Sequence, residues 1–159
     1  MTNTKPLAGR VALVTGASRG LGYAIALKLA EAGAEVIATA RTQAGLEELD
    51  DAIKAMGGKA TLVPLDLNSQ DGIEKLAEAV SGRWKKLDIM VANAGVLGVL
   101  TPAAQIQSKV WNEVLATNLI APARMIRAFE GLLKASDAGR AVFITSGIGS
   151  QRAKAYWAA

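Results

Sequence analysis

The sequence predicts an α/β protein built on a doubly wound parallel sheet, and three features support this fold class. Short apolar runs alternate with amphipathic helical segments from one end of the chain to the other. The apolar runs are continuous and rich in β-branched residues, as in "RVALVT" at residues 10–15, which is typical of strands buried on both faces. Glycine or a polar residue falls at the carboxyl end of four predicted strands, at Gly16, Asp66, Asn93 and Ser146.

The predicted strands follow one another as repeated strand–helix–strand units. They cover residues 10–15, 35–40, 60–65, 87–95 and 140–146. Right-handed crossovers between such units give a parallel sheet, and we expect the Rossmann-like strand order 3-2-1-4-5. Ligands of these sheets bind beyond the carboxyl ends of the strands, so the four strand-ending residues named above are expected to share one site.

The helices are predicted from their apolar stripes and their boundary residues. The first begins near Gly20 and ends at Gly33, and the second carries a stripe that runs from Leu46 to Met56. Ser69 is the predicted N-cap of the third helix, with Asp71 in its first turn. The fourth segment runs from Ser108 to Ser136, and Pro122 is expected to disturb it.

Length and composition indicate one globular domain spanning residues 1–159. Hydrophobic residues make up 51% of the chain and charged residues 20%, which argues against disorder. The net charge of +4 comes from scattered basic residues, so a dedicated nucleic-acid surface is not expected, whereas a phosphate-bearing small ligand fits.

The chain contains no cysteine and no histidine. This composition excludes a disulfide framework, a Ser-His-Asp triad and the common zinc sites, and we expect no metal centre. Proton transfer then has to use Tyr, Lys, Asp or Glu.

The stretch from Ile89 to Ser108 lacks charges but contains several polar residues, which favours a strand and loop over a membrane span. With no apolar signal region at the start, the protein is expected to be cytoplasmic.

The stretch "VTGASRGLG" from Val14 to Gly22 places three glycines where the first strand meets the first helix, in the spacing Gly16-x-x-x-Gly20-x-Gly22. Glycines at such a bend let a ligand approach the backbone, and the N–H groups of the helix N-terminus favour a diphosphate. Glycines can also serve only the turn, so the motif alone leaves both interpretations open. No Gly-Lys-Ser/Thr follows, which excludes a Walker loop.

The segment Thr15–Gly22 resembles the TGxxxGxG signature of the short-chain dehydrogenase/reductase family. The resemblance continues in the family's order through "LDL" at Asp66, "ANAG" at residues 92–95, "ATNL" at Asn118 and "VFITS" at Ser146. The "ANAG" departs from the family's usual "NNAG" in its first residue. The resemblance covers essentially the whole chain, and the motifs are specific together although none is specific singly.

The resemblance implies a dinucleotide cofactor held by the loops that follow the strands. The residues it implicates are Thr15, Gly16, Ser18, Arg19, Gly20, Leu21, Gly22, Arg41, Asp66, Leu67, Asn93, Ala94 and Gly95. By resemblance, Asp66 and Leu67 frame the adenine, and Asn93 with its neighbours steadies the loop beside the cofactor. A plain strand-ending turn is the alternative for Asn93.

The end of the second strand favours NADP over NAD. Proteins that bind NAD place an acidic residue there for the ribose 2′-hydroxyl, whereas this chain has Ala40 followed by Arg41. Arg41 can pair with a 2′-phosphate, and Arg19 in the glycine loop is a second cation that NADP-preferring relatives carry. Each arginine taken singly is also compatible with a solvated surface side chain.

The family's reaction is hydride transfer between a nicotinamide and a carbonyl or alcohol carbon, so the resemblance implies a small-molecule carbonyl or alcohol substrate. Asn118 then kinks its helix and holds a water of the proton relay, and Ser146 hydrogen-bonds the substrate carbonyl. A satisfied buried asparagine and a turn serine are the alternatives. A tyrosine exchanges the proton, and because a phenol has a pKa of about 10, the family lowers it with a lysine four residues later.

Tyr156 is the candidate for this tyrosine, and it lies ten residues after Ser146. Its lysine position would fall one residue past Ala159. Either Tyr156 is the acid/base, or it precedes a tyrosine further on, or it is an aromatic packed at a chain end. We therefore expect the chain to be incomplete at its C-terminus relative to the family, to be weak or inactive alone, and to leave its fifth strand as an exposed edge. A completed family fold is expected to form a homo-oligomer.

Three functions remain to be compared. An NADP-dependent oxidoreductase, represented here by its cofactor-binding portion, accounts for all the motifs. A non-catalytic NADP-binding or sensor module is the alternative, although a sensor has no need for Asn118 and Ser146 at the family's catalytic positions. A methyltransferase-like nucleotide-binding protein is disfavoured by Arg41, because such proteins usually place a carboxylate on a ribose near that position. The segment Val96–Gln105 suggests an apolar wall for the substrate.

Overall fold

A computed structural model describes residues 5–146 and shows a five-stranded, wholly parallel sheet. The strands are β1 (Val11–Thr15), β2 (Glu35–Ala40), β3 (Lys59–Pro64), β4 (Ile89–Ala92) and β5 (Arg140–Phe143). Their order, β3-β2-β1-β4-β5, confirms the predicted topology. The strands β2 and β3 are added on one side of β1, and β4 and β5 on the other, so the strand order reverses at β1. Doubly wound sheets bind their ligands at this reversal.

Helices cover both faces of this sheet. They are α1 (Gly20–Glu31), α2 (Gln43–Ala55), α3 (Gly72–Trp84), α4 (Ser108–Leu115) and α5 (Ala121–Lys134), with a 3₁₀ turn at Ala103–Gln105 and a π-helical turn at Ala116–Ile120. One core cluster joins α1 and α2 to the sheet, and a second joins α3 and α5 to its opposite face. No helix within residues 5–146 is long and apolar enough to cross a membrane.

The strand β1 is the centre of the core, since all five of its residues are buried. Leu13 packs toward α3 and α5, whereas Val14 packs toward α1 and α2. Phe129 of α5 is completely buried, and removing such a side chain from water contributes about 1.5–3 kcal/mol. The continuous apolar run of the sequence is therefore explained by two covered faces.

The predicted start of the third helix is wrong. α3 begins at Gly72 with Asp71 as its N-cap residue, and Ser69 lies in the preceding loop. The reason is that the backbone carbonyls of Ser69 and Gln70 accept hydrogen bonds from the side chain of Arg124, which holds this segment outside the helix.

A further prediction about a helix boundary is wrong, whereas the predicted disturbance near Pro122 is confirmed. Met56 lies beyond the end of α2 and is 39% exposed, because the chain turns away at Gly57, which has a φ of +73°. The helical segment from Ser108 contains a π turn, and Pro122 lies in the first turn after it. A proline ring collides with the carbonyl four residues earlier in an α-helix, and the wider π turn relieves that contact.

The last strand lies at an edge of the sheet within the described part of the chain, as predicted. All four residues of β5 are exposed, and Val142 and Phe143 are 44% and 37% exposed. Its one neighbour is β4, with Val91 paired to Val142. The face and edge of β5 therefore present apolar surface and free backbone groups.

A buried carboxylate joins the amino ends of β1 and β4 to the segment that follows α5. Asp88 is 1% exposed, and it accepts hydrogen bonds from the Ser136 hydroxyl at 2.6 Å, the Arg10 guanidinium at 2.8 Å, the Val11 N–H at 2.9 Å and the Lys86 ammonium at 3.1 Å. Burial alone would raise the pKa of Asp88, but these hydrogen bonds outweigh it and hold the pKa well below its ordinary value.

We predict that Asp88→Ala lowers the free energy of unfolding by about 3 kcal/mol or more, because it leaves buried donors without their acceptor. Since the folded pKa of Asp88 is depressed, its contribution is present above the unfolded-state pKa of about 3.9 and declines as the pH falls below that value. Urea unfolding from neutral to acidic pH measures both effects.

Asp137→Ala is the control, because Asp137 also pairs with Arg10 but its side chain is 73% exposed. It should cost less than about 1 kcal/mol. Equal losses for the two variants would show that burial of Asp88 does not set its contribution.

Candidate functional site

A cleft of about 530 Å³ opens at the carboxyl edge of the sheet. Loops after β1, β2, β3 and β4 line it, together with one residue of the π turn. The lining residues are Gly16, Ser18, Arg19, Gly20, Leu21, Gly22, Thr39, Ala40, Arg41, Thr42, Leu65, Asp66, Leu67, Asn68, Asn93, Ala94, Gly95, Val96 and Thr117. This is the edge at which doubly wound sheets bind ligands.

Thr15, the last residue of β1, ties the ends of β1 and β4 together. Its Oγ1 accepts hydrogen bonds from the backbone N–H groups of Asn93 and Ala94, each at 3.0 Å. In return, Asn93 Nδ2 donates to the carbonyl oxygens of Thr15 at 2.9 Å and Gly16 at 3.3 Å. We call this set of bonds the Thr15–Asn93 clasp. Thr15 is 1% exposed and does not line the cleft, so it acts on the cleft through the clasp.

Two of the three motif glycines are required by the protein's own packing. Gly16 has a φ of +66°, and a Cβ there would lie 2.9 Å from the Ala94 Cα. A Cβ on Gly22 would overlap the Gly16 carbonyl oxygen and lie 2.5 Å from Asn93 Nδ2. Gly20 differs, because it has a φ of +58° and a Cβ there would meet open space. Gly20 is therefore the position at which the loop leaves room for a ligand.

A fourth glycine, which lies outside the motif in the sequence, allows a helix to pack against the glycine loop. Sequence reasoning did not identify it. Gly45 lies in the first turn of α2, where a Cβ would sit 2.7 Å from the Ser18 carbonyl oxygen and 2.8 Å from the Ser18 Cβ. α2 therefore packs directly against the backbone of the glycine loop. The available signal was an isolated glycine inside a helical pattern, which often marks a close approach.

Two guanidinium groups border the cleft without partners of their own. Arg19 and Arg41 are exposed, and neither guanidinium makes a hydrogen bond or an ion pair to any residue in the range 5–146. By contrast, Arg10, Arg83 and Arg124 bind carboxylates. Arg19 and Arg41 are thus available to an anionic ligand in the cleft.

Acidic groups are scarce at the same place. β2 ends at Ala40, and Asp66 is the one carboxylate among the described residues that line the cleft. Asp66 Oδ1 accepts a hydrogen bond from the Asn68 N–H at 2.9 Å, within its own turn, and the neighbouring Leu67 is buried. The cleft therefore combines two free cations with an apolar floor, which suits a phosphate-bearing ligand with an aromatic base.

Asn118 lies in the π turn and braces the loop that follows β4. Its Oδ1 accepts a hydrogen bond from the Val96 N–H at 2.9 Å, and its Nδ2 donates to the Val96 carbonyl at 2.8 Å. The alternative of a buried asparagine is wrong, because Asn118 is exposed. Two of the amide's four hydrogen-bonding positions are used, so one donor and one acceptor position remain.

The two other predicted catalytic residues are placed differently. Ser146 follows β5 by three residues and is exposed, and it does not line the cleft. Tyr156 lies outside the described residues. The structure therefore brings Asn118 next to the cleft-lining Val96 but gives no geometry that joins Asn118, Ser146 and Tyr156.

Of the predicted cofactor-contacting residues, all except Thr15 line the cleft. Their role in binding stays a prediction. Sequence reasoning missed Thr39, Thr42, Leu65, Asn68 and Thr117, which line the same cleft, and it named Val96 only as part of an apolar wall. Most of these residues are next to a predicted site residue in the sequence, as Thr117 is next to Asn118, and this position was the available signal.

Within residues 5–146, no three acidic side chains lie close enough together to hold a metal ion.

Comparison with known proteins agrees with this geometry. The family model described as "short chain dehydrogenase" matches residues 10–159. A tropinone reductase homolog of Arabidopsis thaliana is 38% identical over 88% of this chain and 52% of its own length. The 3-oxoacyl-(acyl-carrier-protein) reductase of Vibrio cholerae is 34% identical over 91% of this chain and 57% of its own length. A metagenomic short-chain oxidoreductase solved in complex with NADP is 39% identical, with a TM-score of 0.85 over 89% of this chain and 64% of that one.

The chain belongs to the short-chain dehydrogenase family, since the family model matches nearly all of it. It spans about half the length of the curated relatives it matches. The fold predicted from the sequence and the predicted family are both confirmed.

We predict that Gly22→Ala lowers the free energy of unfolding by about 2 kcal/mol, because its methyl group overlaps the Gly16 carbonyl and strains the Thr15–Asn93 clasp. Chemical denaturation with urea measures the change.

Gly82→Ala is the matched control. Gly82 is also a helical glycine, in α3, but a Cβ there would meet open space. Alanine has the better helix propensity, so this variant should gain about 0.5–1 kcal/mol. A Gly22→Ala protein as stable as Gly82→Ala would contradict the packing role of Gly22.

Proposed function

We propose that this chain is a single dinucleotide-binding domain of an NADP-dependent oxidoreductase. It would transfer a hydride between the nicotinamide and a small-molecule carbonyl or alcohol. The observation that carries the proposal is one cleft, at the reversal of strand order, which is lined by an open glycine backbone and by two guanidinium groups with no partner among residues 5–146.

The glycine loop offers a diphosphate what it needs. Arg19 is the N-cap residue of α1 and makes no side-chain cap, so the N–H groups of the first turn lack that partner. These groups and the helix dipole favour negative charge, and the open space at Gly20 permits close approach. The residues present therefore fit the diphosphate of a dinucleotide.

The choice of NADP over NAD rests on charge at the end of β2. Ala40 offers no carboxylate to a ribose 2′-hydroxyl, and Arg41 and Arg19 supply two cations for a 2′-phosphate. The metagenomic relative solved with NADP supports the same choice. NAD is the less favoured cofactor.

A bound dinucleotide would supply the hydride or accept it, and the chain's own residues would orient the reactants and move the proton. Asn118 has one amide hydrogen and one lone pair left for a water beside the cleft. We assign Ser146 to the substrate carbonyl and Tyr156 to proton exchange, by family resemblance. The names of the two reductase relatives support a carbonyl substrate.

The absence of cysteine fits a reducing compartment, so we infer a cytoplasmic protein. We also infer a homo-oligomer.

We predict that Arg41→Ala raises the Kd for NADPH by about 10- to 100-fold, because it removes a charge-assisted contact worth about 1.5–3 kcal/mol. The Kd for NADH should change by less than about threefold, since NADH has no 2′-phosphate. Calorimetric titration of each dinucleotide measures both constants.

Arg127→Ala serves as the control, because Arg127 is an exposed arginine of α5 that has no partner within the described residues and does not line the cleft. It should leave both constants unchanged. Equal loss of NADPH and NADH affinity in Arg41→Ala would contradict the 2′-phosphate assignment.

Measurement of catalytic turnover distinguishes the oxidoreductase hypothesis from the sensor-module hypothesis. Oxidation of NADPH by the complete gene product, measured with a panel of ketones through the absorbance of the reduced nicotinamide, supports the enzyme. Saturable NADPH binding with no turnover on any ketone would favour the sensor.

A further inference from the structure

One arginine that is distant in the sequence holds a loop of the cleft. Arg124 lies in α5 with its side chain 20% exposed, and its guanidinium reaches back to the loop between β3 and α3. It donates to the carbonyl oxygens of Ser69 at 2.9 Å, Gln70 at 2.7 Å and Leu67 at 3.4 Å. It also donates to both carboxylate oxygens of Glu74, at 3.1 and 2.5 Å.

This arrangement depends on the shape of the guanidinium group. Its five N–H donors form a rigid planar fork, which can serve several carbonyls and a carboxylate at once. A lysine ammonium keeps the charge and can reach Glu74, but it is a compact group that does not span three carbonyls spread along residues 67–70. The three backbone contacts, rather than the charge, are therefore specific to arginine.

The held loop forms part of the cleft. Asp66, Leu67 and Asn68 all line it, and Asn68 Nδ2 donates to the Thr117 hydroxyl at 2.8 Å. Thr117 and Arg124 belong to the same continuous helical segment, so that segment fixes the loop at two points. The position of the loop is thus set by contacts with α5 and the π turn, in addition to its own strand.

We propose that Arg124 is a positioning residue for the base end of the dinucleotide, acting through the backbone of residues 67–70. The inference rests on the proposed function and deepens it. The base is common to NADPH and NADH, so the loss of Arg124 should weaken both dinucleotides by the same factor. Loss of Arg41, in contrast, should weaken only NADPH.

The test compares Arg124→Lys with Glu74→Gln by calorimetric titration of NADPH and NADH. Arg124→Lys should raise both Kd values about tenfold, because it removes backbone contacts of ordinary strength, and should leave their ratio unchanged. Glu74→Gln removes the partner charge but leaves the three carbonyl contacts, so both constants should stay within about twofold of the wild type. Arg127→Lys, three residues further along the same helix, is the matched control and should change nothing.

Unfolding free energies and circular dichroism of each variant show that binding is compared between folded proteins. If Arg124→Lys does not fold, Thr117→Val replaces it, because it removes the second attachment of the loop through Asn68 and should also weaken both dinucleotides equally. A folded Arg124→Lys with wild-type constants would overturn the positioning role alone, as would a Glu74→Gln variant that loses as much affinity as Arg124→Lys. A wild-type protein that binds neither dinucleotide would overturn the proposed function and this inference with it.

Discussion

The close approach of the ends of β1 and β4 is the constraint on which the cleft depends. The Thr15–Asn93 clasp joins these two strands where the strand order reverses, and it leaves no room for a side chain at Gly16 or Gly22. Because the helix α1 starts immediately after this contact, its N-terminus is held against the sheet edge. The motif glycines that look like a ligand-binding signature thus serve first to bring two strands and a helix together, and Gly20 supplies the open space.

The remaining loops of the cleft are braced in the same manner, each by an element from another part of the chain. The first turn of α2 packs on the glycine loop through Gly45, the side chain of Arg124 holds the loop after β3, and Asn118 holds the loop after β4 through Val96. Such cross-bracing places polar groups in fixed positions, which favours binding by reducing the cost of ordering them. Arg19 and Arg41 stand apart, because within residues 5–146 they take no part in this bracing.

The sequence was sufficient for what depends on local pattern. Continuous apolar runs predicted most strand ends to within about two residues, and the repeated strand–helix units predicted the order of the strands. Both predictions succeed because the sheet is buried on two faces. Predictions failed where a distant residue decides the outcome. Ser69 is no N-cap, because Arg124 holds its carbonyl and that of Gln70 outside the helix. Asn68 and Thr117 escaped notice for the same reason, since their contact joins residues 49 positions apart.

The central claim is that a dinucleotide lies across this edge of the sheet, with its diphosphate at the start of α1 and its 2′-phosphate between two arginines. A crystal structure of the protein grown with NADPH tests it most directly. We expect electron density for the diphosphate against the backbone of Gly20 and for the 2′-phosphate within hydrogen-bonding distance of Arg19 and Arg41. A dinucleotide bound elsewhere, or a 2′-phosphate pointing into solvent away from both guanidinium groups, would contradict it.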